Sequence, residues 1–441
     1  VSQQALTNSS NIAPMGMNVR MPLILGNVSV QKVWNFLTGN SLLLVIGAVL
    51  ALTWANLSAE SYHHFVDRVL IADFVVGHPH ESGGVISRDL TVHFLINEVL
   101  MAFFFAIAAK EVWEGLVLKD GALRGKKALT PLIATAGGMA GPVVVYLALA
   151  AFWGVLESTA QGWAIPTATD IAFSYLVGRL VFGAGHPAIK FLLLLAIADD
   201  AGGLIILAIF YPTGELAPAW LLVSVASALS AYVLANWLPR KLDRGNQDRP
   251  WSTWVRKTFG FWPYALAGAL SWYAFYRAGI HPALGLIPVI PAIPHADREF
   301  GIFAEEEAYQ TDLLNVIEHK IKLPVEALLF FFGLANAGVV FSAIAEPTWL
   351  VFFGLLIGKP VGIFLFGWFA ARILRLGLPD GMGMSDLVVL GCVAGIGFTV
   401  ALFVSTVAFP PGDIQDAAKM GALFSFASAI TAIVAGKLFK I

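Results

Sequence analysis

The sequence predicts an all-α polytopic membrane protein of twelve transmembrane segments with one external β-hairpin. Composition, the spacing of apolar runs and the distribution of basic residues point to that class. Of 441 residues, 58% are hydrophobic and 13% charged, where a soluble domain carries roughly 25% charge. The mean hydropathy is +0.76. Net charge is −2, so bulk charge gives no reason to expect a nucleic-acid partner. The single cysteine, Cys392, excludes an intramolecular disulfide and a Cys-based zinc cluster.

Crossing the ~30 Å hydrocarbon layer takes about 20 mostly apolar residues. Candidate segments lie near 40–57, 92–112, 130–153, 163–180, 187–211, 217–238, 258–276, 279–294, 323–342, 348–371, 385–409 and 417–437. Residues 1–39 read as a cytoplasmic segment without a removable signal peptide, and 40–441 as the transporter domain. This arrangement places 22 Lys and Arg residues on one side and 4 on the other, with Lys359 alone inside a segment. By the positive-inside rule both termini are cytoplasmic. The long external loop, 58–91, holds two β-branched stretches, Val69–Val76 and Val85–Leu90, around the Gly- and Pro-containing stretch 77–84. That pattern predicts a hairpin whose open edge serves contact with a second protomer or caps the same chain.

Ionisable residues at membrane depth cost about 2.5–3.5 kcal/mol or more and are functional candidates by default. Five stand out: Glu98, Asp170, Asp199, Asp200 and Lys359. Asp199 and Asp200 have long apolar runs on both sides, so neither reaches water by snorkelling. Consecutive helical residues diverge by about 100°, yet both carboxylates can face one cavity at a helix crossing. Asp170 follows Pro166, Thr167 and Thr169, where a broken helix would release carbonyl and hydroxyl ligands; the plainer reading is an N-cap. Lys359 needs an anionic partner, and the aspartates are the economical choice, whether for function or architecture alone. Gly391 to Val400 holds three glycines in the seven residues Gly391–Gly397, a second candidate break. Segments four and eleven would then be interrupted at corresponding places of two halves, the pattern of an inverted-repeat transporter site, although the halves show no residue-by-residue similarity.

Carboxylates with hydroxyl and carbonyl oxygens suit a small hard cation rather than a soft transition metal. If cation and protons compete for the same carboxylates, and the protein reorients only when the site is occupied, the result is antiport. Exchanging two protons for one Na⁺ moves one net charge, about 2.3 kcal/mol per 100 mV.

Five stretches, Ala168-Thr-Asp-Ile-Ala-Phe173, Ala196-Ile-Ala-Asp-Asp200, Ala335-Asn-Ala-Gly338, Leu356-Ile-Gly-Lys-Pro360 and Gly395-Ile-Gly-Phe-Thr399, occur in order. Together they resemble the hallmark segments of NhaA-type bacterial sodium/proton antiporters, from about Asn40 to the end of the chain. The resemblance implies crossing broken helices four and eleven, an inner-membrane location, a homodimer joined by the external hairpin, and no cofactor beyond the transported Na⁺ or Li⁺ and H⁺. It implies that Asp200 is the main cation and proton carboxylate and that Asp199 forms a pH-dependent pair with Lys359. It puts Thr169 and Asp170 at the crossing, Asp170 offsetting the helix-end dipoles. Glu98 matches an acidic position of the second helix. Of the family's pH-sensing positions, Glu318, His319 and His281 match, and Glu111 is the fourth candidate. Lys110–Gly115 lacks the basic residues that usually follow that glutamate, and the following loop is two residues longer, so no activation pH carries over.

Two other classes compete. An intramembrane aspartyl protease would use paired aspartates, but no Gly-x-Gly-Asp sequence is present. A channel or organic-anion carrier would suit Asn336 and broken helices, and tandem acids argue against it.

Overall fold

A computed structural model describes residues 42–82, 85–117, 123, 125–183, 185–244, 246, 248–294 and 313–441. The N-terminal segment 1–39 lies outside these residues. Among them the chain is mostly helical, and six helices are long and apolar enough to cross a membrane, seven if one bent pair counts as a span. In chain order the main helices are α1 (Leu42–Leu57), α2 (Val92–Val117), α3 (Lys126–Trp153), α4 (Ile171–Phe182), α5 (Pro187–Phe210), α6 (Ala219–Leu242), α7 (Trp262–Ala278), α8 (Leu313–Asn336), α9 (Glu346–Ile373), α10 (Met384–Ala394), α11 (Phe398–Ala408) and α12 (Asp413–Phe439). The region expected to hold segment eight is 3₁₀-helical at Pro282–Leu284 and Ile287–Ala292, where closely spaced prolines remove α-helical donors.

Close helix approach is built with glycine. A Cβ on Gly137 would lie 2.2 Å from the carbonyl oxygen of Gly362, and one on Gly362 would lie 2.0 Å from that of Gly137. The backbones of α3 and α9 therefore touch. In lipid, where no hydrophobic driving force separates helix–helix from helix–tail contact, such backbone packing is what holds a bundle together. It also fixes Lys359, one turn from Gly362, against the centre of the molecule.

The external loop differs from its predicted strands. Val69–Ile71, His78–Ser82 and Val85–Thr91, here β1, β2 and β3, form one antiparallel sheet in the order β1-β3-β2. The stretch 78–82, expected in the turn, pairs with β3 from His78↔Asp89 to Ser82↔Val85. Pro79 is tolerated because β2 is an edge strand. Segment nine also ends earlier than expected, at Asn336 instead of 342. Asn56 of α1 supplies the reason: its side chain donates to Val339 O (2.9 Å) and accepts from Phe341 N (2.9 Å). The Tyr62 hydroxyl lies 2.9 Å from the carbonyl oxygens of both Leu334 and Ala335. Backbone groups released by the helix end are thus satisfied by residues almost 300 positions away.

Candidate functional site

Two interruptions meet at the centre. A 3₁₀-helix, Ala160–Thr167, gives way to three non-helical residues before α4, where Pro166 breaks the hydrogen-bond ladder. Separately, α10 and α11 meet at a 51° bend across Gly395–Gly397. A backbone hydrogen bond joins the two breaks, Asp170 N donating to Ile396 O at 2.7 Å.

The helix ends at this crossing are matched by charge and donor type. Carbonyls ending α10 accept side-chain hydroxyls: Thr169 Oγ1 donates to Ala394 O (3.1 Å) and Ser174 Oγ to Val393 O (3.1 Å). At the opposite polarity sits the Asp170 carboxylate. Its Oδ1 accepts from Phe173 N (3.2 Å) and caps α4, while Oδ2 accepts from Thr399 N (3.2 Å) and from the Thr399 hydroxyl near the start of α11. One carboxylate thus serves two helix N-termini, where orphan N–H groups carry partial positive charge. The N-cap reading of Asp170 holds for one oxygen and misses the other.

Asp199 and Lys359 face each other across this crossing. Lys359 Nζ is 2.9 Å from Asp199 Oδ2, with both side chains fully buried. The same ammonium donates to Thr167 O, the carbonyl that ends the 3₁₀-helix. Thr169 Oγ1 lies 2.6 Å from Asp199 Oδ2, so one carboxylate oxygen takes two donors. The other, Asp199 Oδ1, is buried without a hydrogen-bond partner. Asp200, one residue further along α5, is partly exposed. Thus the structure gathers Thr169, Asp170, Asp199 and Lys359 into one bonded cluster, with Asp200 adjacent along the helix. No group of three or more His, Cys, Asp or Glu occurs among the described residues that could hold a metal. A cation here would draw on hydroxyls, carbonyls and water as well as the two aspartates.

The remaining candidates lie elsewhere. Glu98 occupies a π-helical turn, Leu95–Leu100, within α2. Its Oε2 is 3.1 Å from His281 Nδ1, although the two atoms are not aligned for a hydrogen bond. The Glu98 carbonyl accepts from Trp272 Nε1 at 2.8 Å, and the His281 ring packs against Phe403 at 5.0 Å. Glu111 is buried beside Lys110, whose Nζ lies 3.5 Å from Glu111 Oε1 and 3.0 Å from Glu114 Oε2. The side chains of Glu318 and His319 lie outside the described residues.

Sequence reasoning did not single out Thr399, Thr167 or Ser174 as site residues, or Lys110 and Glu114 as a buried pair. Thr399 stands in a quoted motif beside the glycine run, and the i,i+4 spacing of Lys110 and Glu114 was visible.

The family model described as "Na+/H+ antiporter 1" matches residues 31–438. The chain belongs to this family. A relative from Jannaschia sp. (strain CCS1), named Na(+)/H(+) antiporter NhaA, is 66% identical over 413 residues, covering 93% of this chain and 98% of the relative. Relatives of the same name from Desulfitobacterium hafniense (strain Y51) and Geobacter sulfurreducens are 45% and 44% identical, each over 93% of this chain and over 97% and 99% of their own lengths. As a member of the Na+/H+ antiporter 1 family with long apolar helices, the chain is a multi-pass membrane protein. Its relatives are named as transporters and not as enzymes.

Proposed function

We propose that this protein exchanges Na⁺ or Li⁺ for protons across the bacterial inner membrane through Asp199 and Asp200. The carrying observation is the buried Asp199–Lys359 contact, which leaves one Asp199 oxygen without a partner next to Asp200. A buried carboxylate paired with a buried ammonium is balanced only while both keep their charge. A cation entering at Asp200 and Asp199 competes with the Lys359 ammonium for the Asp199 oxygens. Thr169 Oγ1 and the carbonyl of Thr167 are then free to contribute ligands. When the cation leaves, protons and Lys359 take its place, so the two cargoes exclude each other.

Two protons exchanged for one Na⁺ would make transport electrogenic, with about 2.3 kcal/mol contributed per 100 mV. Asp170 keeps the crossing assembled in this scheme, as a fixed negative charge at two helix N-termini. The full arrangement is a twelve-span inverted repeat with both termini cytoplasmic, segments four and eleven broken, and a homodimer joined through the β1–β3 sheet. Glu111, Glu318, His319 and His281 are the candidates for pH regulation, and Glu98 contacts His281.

Reconstitution into liposomes with a pH-sensitive dye tests the reading. Added Na⁺ or Li⁺ should dissipate an imposed proton gradient, and Asp200→Asn should abolish the response. Sodium-dependent proton flux at full rate in an Asp199→Asn/Asp200→Asn variant would rule it out.

A further inference from the structure

Between α6 and α7 the chain carries a short helix, Pro250–Phe259, none of whose residues is buried. Trp251, Trp254, Val255 and Phe259 fall on one arc at 100° per residue, and Ser252, Thr253, Arg256 and Lys257 on the other. The aromatic side chains form a continuous cluster, with ring centroids 6.4 Å apart for Trp251 and Trp254 and 5.7 Å for Trp254 and Phe259. About half of each is exposed (50%, 53% and 45%). Asp243 ties the helix to the end of α6 by accepting from Trp251 N and Ser252 N, both at 2.8 Å.

Beneath this helix is a polar cleft of about 30 Å³, lined among others by Arg240, Ser252, Arg256 and Tyr264. Neither arginine has a carboxylate within ion-pair distance among the described residues. Tyr264 also lines a second cavity, an apolar groove of about 390 Å³ between α2, α7 and residues 286–293. Phe103, Ala106, Gly268, Ala269 and Val289 form its walls. Lys110, which also lines the groove, is engaged by Glu114. A two-arginine cleft thus shares a wall with a hydrocarbon-sized groove on membrane-depth helices, below a helix of the kind that rests in the headgroup layer.

We propose that this is a binding site for one anionic phospholipid. Its phosphate lies between Arg240 and Arg256, and one acyl chain fills the groove between α2 and α7. The aromatic arc of Pro250–Phe259 rests in the surrounding headgroup layer. Two unpaired guanidiniums favour an anionic over a zwitterionic headgroup, and their planar forks suit phosphate oxygens.

Native mass spectrometry of the full chain, released from vesicles holding equal phosphatidylglycerol and phosphatidylcholine, tests this. The wild type should retain phosphatidylglycerol in preference. Arg256→Gln should lower that retention about fivefold, the effect of one basic contact at a membrane surface, and Arg256→Lys should restore part of it. Lys257→Gln removes the same charge one residue away, outside the cleft, and should leave retention unchanged. Equal losses in Arg256→Gln and Lys257→Gln would mean bulk surface charge and overturn the site. Ala269→Trp, which fills the groove without touching charge, should lower retention of both lipids, and no change would overturn the acyl-chain placement. Displacement of the lipid by millimolar inorganic phosphate would show a free-anion site and also overturn the proposal. Lipid mass is the readout, so the outcome is independent of the exchange reading.

Discussion

Lys359 Nζ stands 2.9 Å from Asp199 Oδ2, and solvent reaches neither side chain. Removing one partner of such a pair strands the other charge in low dielectric, at a cost of about 3–5 kcal/mol, whereas removing both can be nearly neutral. Asp199→Asn and Lys359→Gln should therefore each lower the Tm in detergent sharply, and the double variant should recover most of the loss. A double variant no more stable than the worse single variant would show that the pair is not the source. The same double variant should remain without exchange activity, since stability is regained by neutrality and the competition for Asp199 is not.

Thr399 makes two bonds to one oxygen of Asp170, through its backbone N–H and its hydroxyl. Thr399→Val keeps the shape and the N–H but loses the hydroxyl donor, and a hydrogen bond to a charged group contributes about 1.5–3 kcal/mol. Transport rate should fall roughly tenfold or more, and Thr399→Ser should stay close to wild type. Equal activity of the Val and Ser variants in proteoliposomes would remove Thr399 from the crossing's machinery.

The charged centre was legible because Asp199, Asp200 and Lys359 interrupt apolar runs in which any charge is conspicuous. Pro166 and the glycines at 395 and 397 announced the breaks by the same logic, since each weakens a helix locally. What stayed hidden were partnerships set by tertiary structure. Threonine is unremarkable in a membrane helix, so nothing marked Thr399 until Asp170 was found beside it. The early end of α8 depends on Asn56, a residue no local pattern connects to Phe341. The strand at His78–Ser82 hid behind Gly77 and Pro79, which read as turn residues although an edge strand accommodates both. Lys110 looked like the first charge of a loop, whereas α2 continues to Val117 and buries it against Glu114.

Contact between α3 and α9 predicts a steep size dependence. Gly362→Val would drive a side chain into the carbonyl of Gly137, which lies 2.0 Å from the position of a Cβ. Backbone cannot yield as a flexible side chain does, so the loss should reach or exceed the about 1–3 kcal/mol typical of overpacking. Gly203 in α5 has no atom within 4 Å of its Cβ position. Gly203→Ala should therefore be neutral or gain up to about 1 kcal/mol from helix propensity. Thermal unfolding of the two variants side by side checks this, and similar Tm values would mean that α3 and α9 can part without cost.

Asp243, outside the membrane-spanning helices, predicts how the short helix Pro250–Phe259 responds to acid. Burial acts to raise its carboxyl pKa, but hydrogen bonds from Ser252 and Trp251 and the nearby Arg249 outweigh burial and hold it below the usual value. A carboxyl whose folded value is depressed contributes stability that is complete above the unfolded value, about 3.9, and is lost as pH falls through the folded value. Hydrogen exchange at the amides of residues 251–259 should therefore show constant protection, after correction for intrinsic rates, from neutral pH down to about 5. Protection should fall once the pH drops below about 4. Asp243→Ala removes the acceptor at every pH, so it should show the unprotected pattern already at neutrality and no further acid transition. An acid transition that persists in that variant would assign the effect to another group.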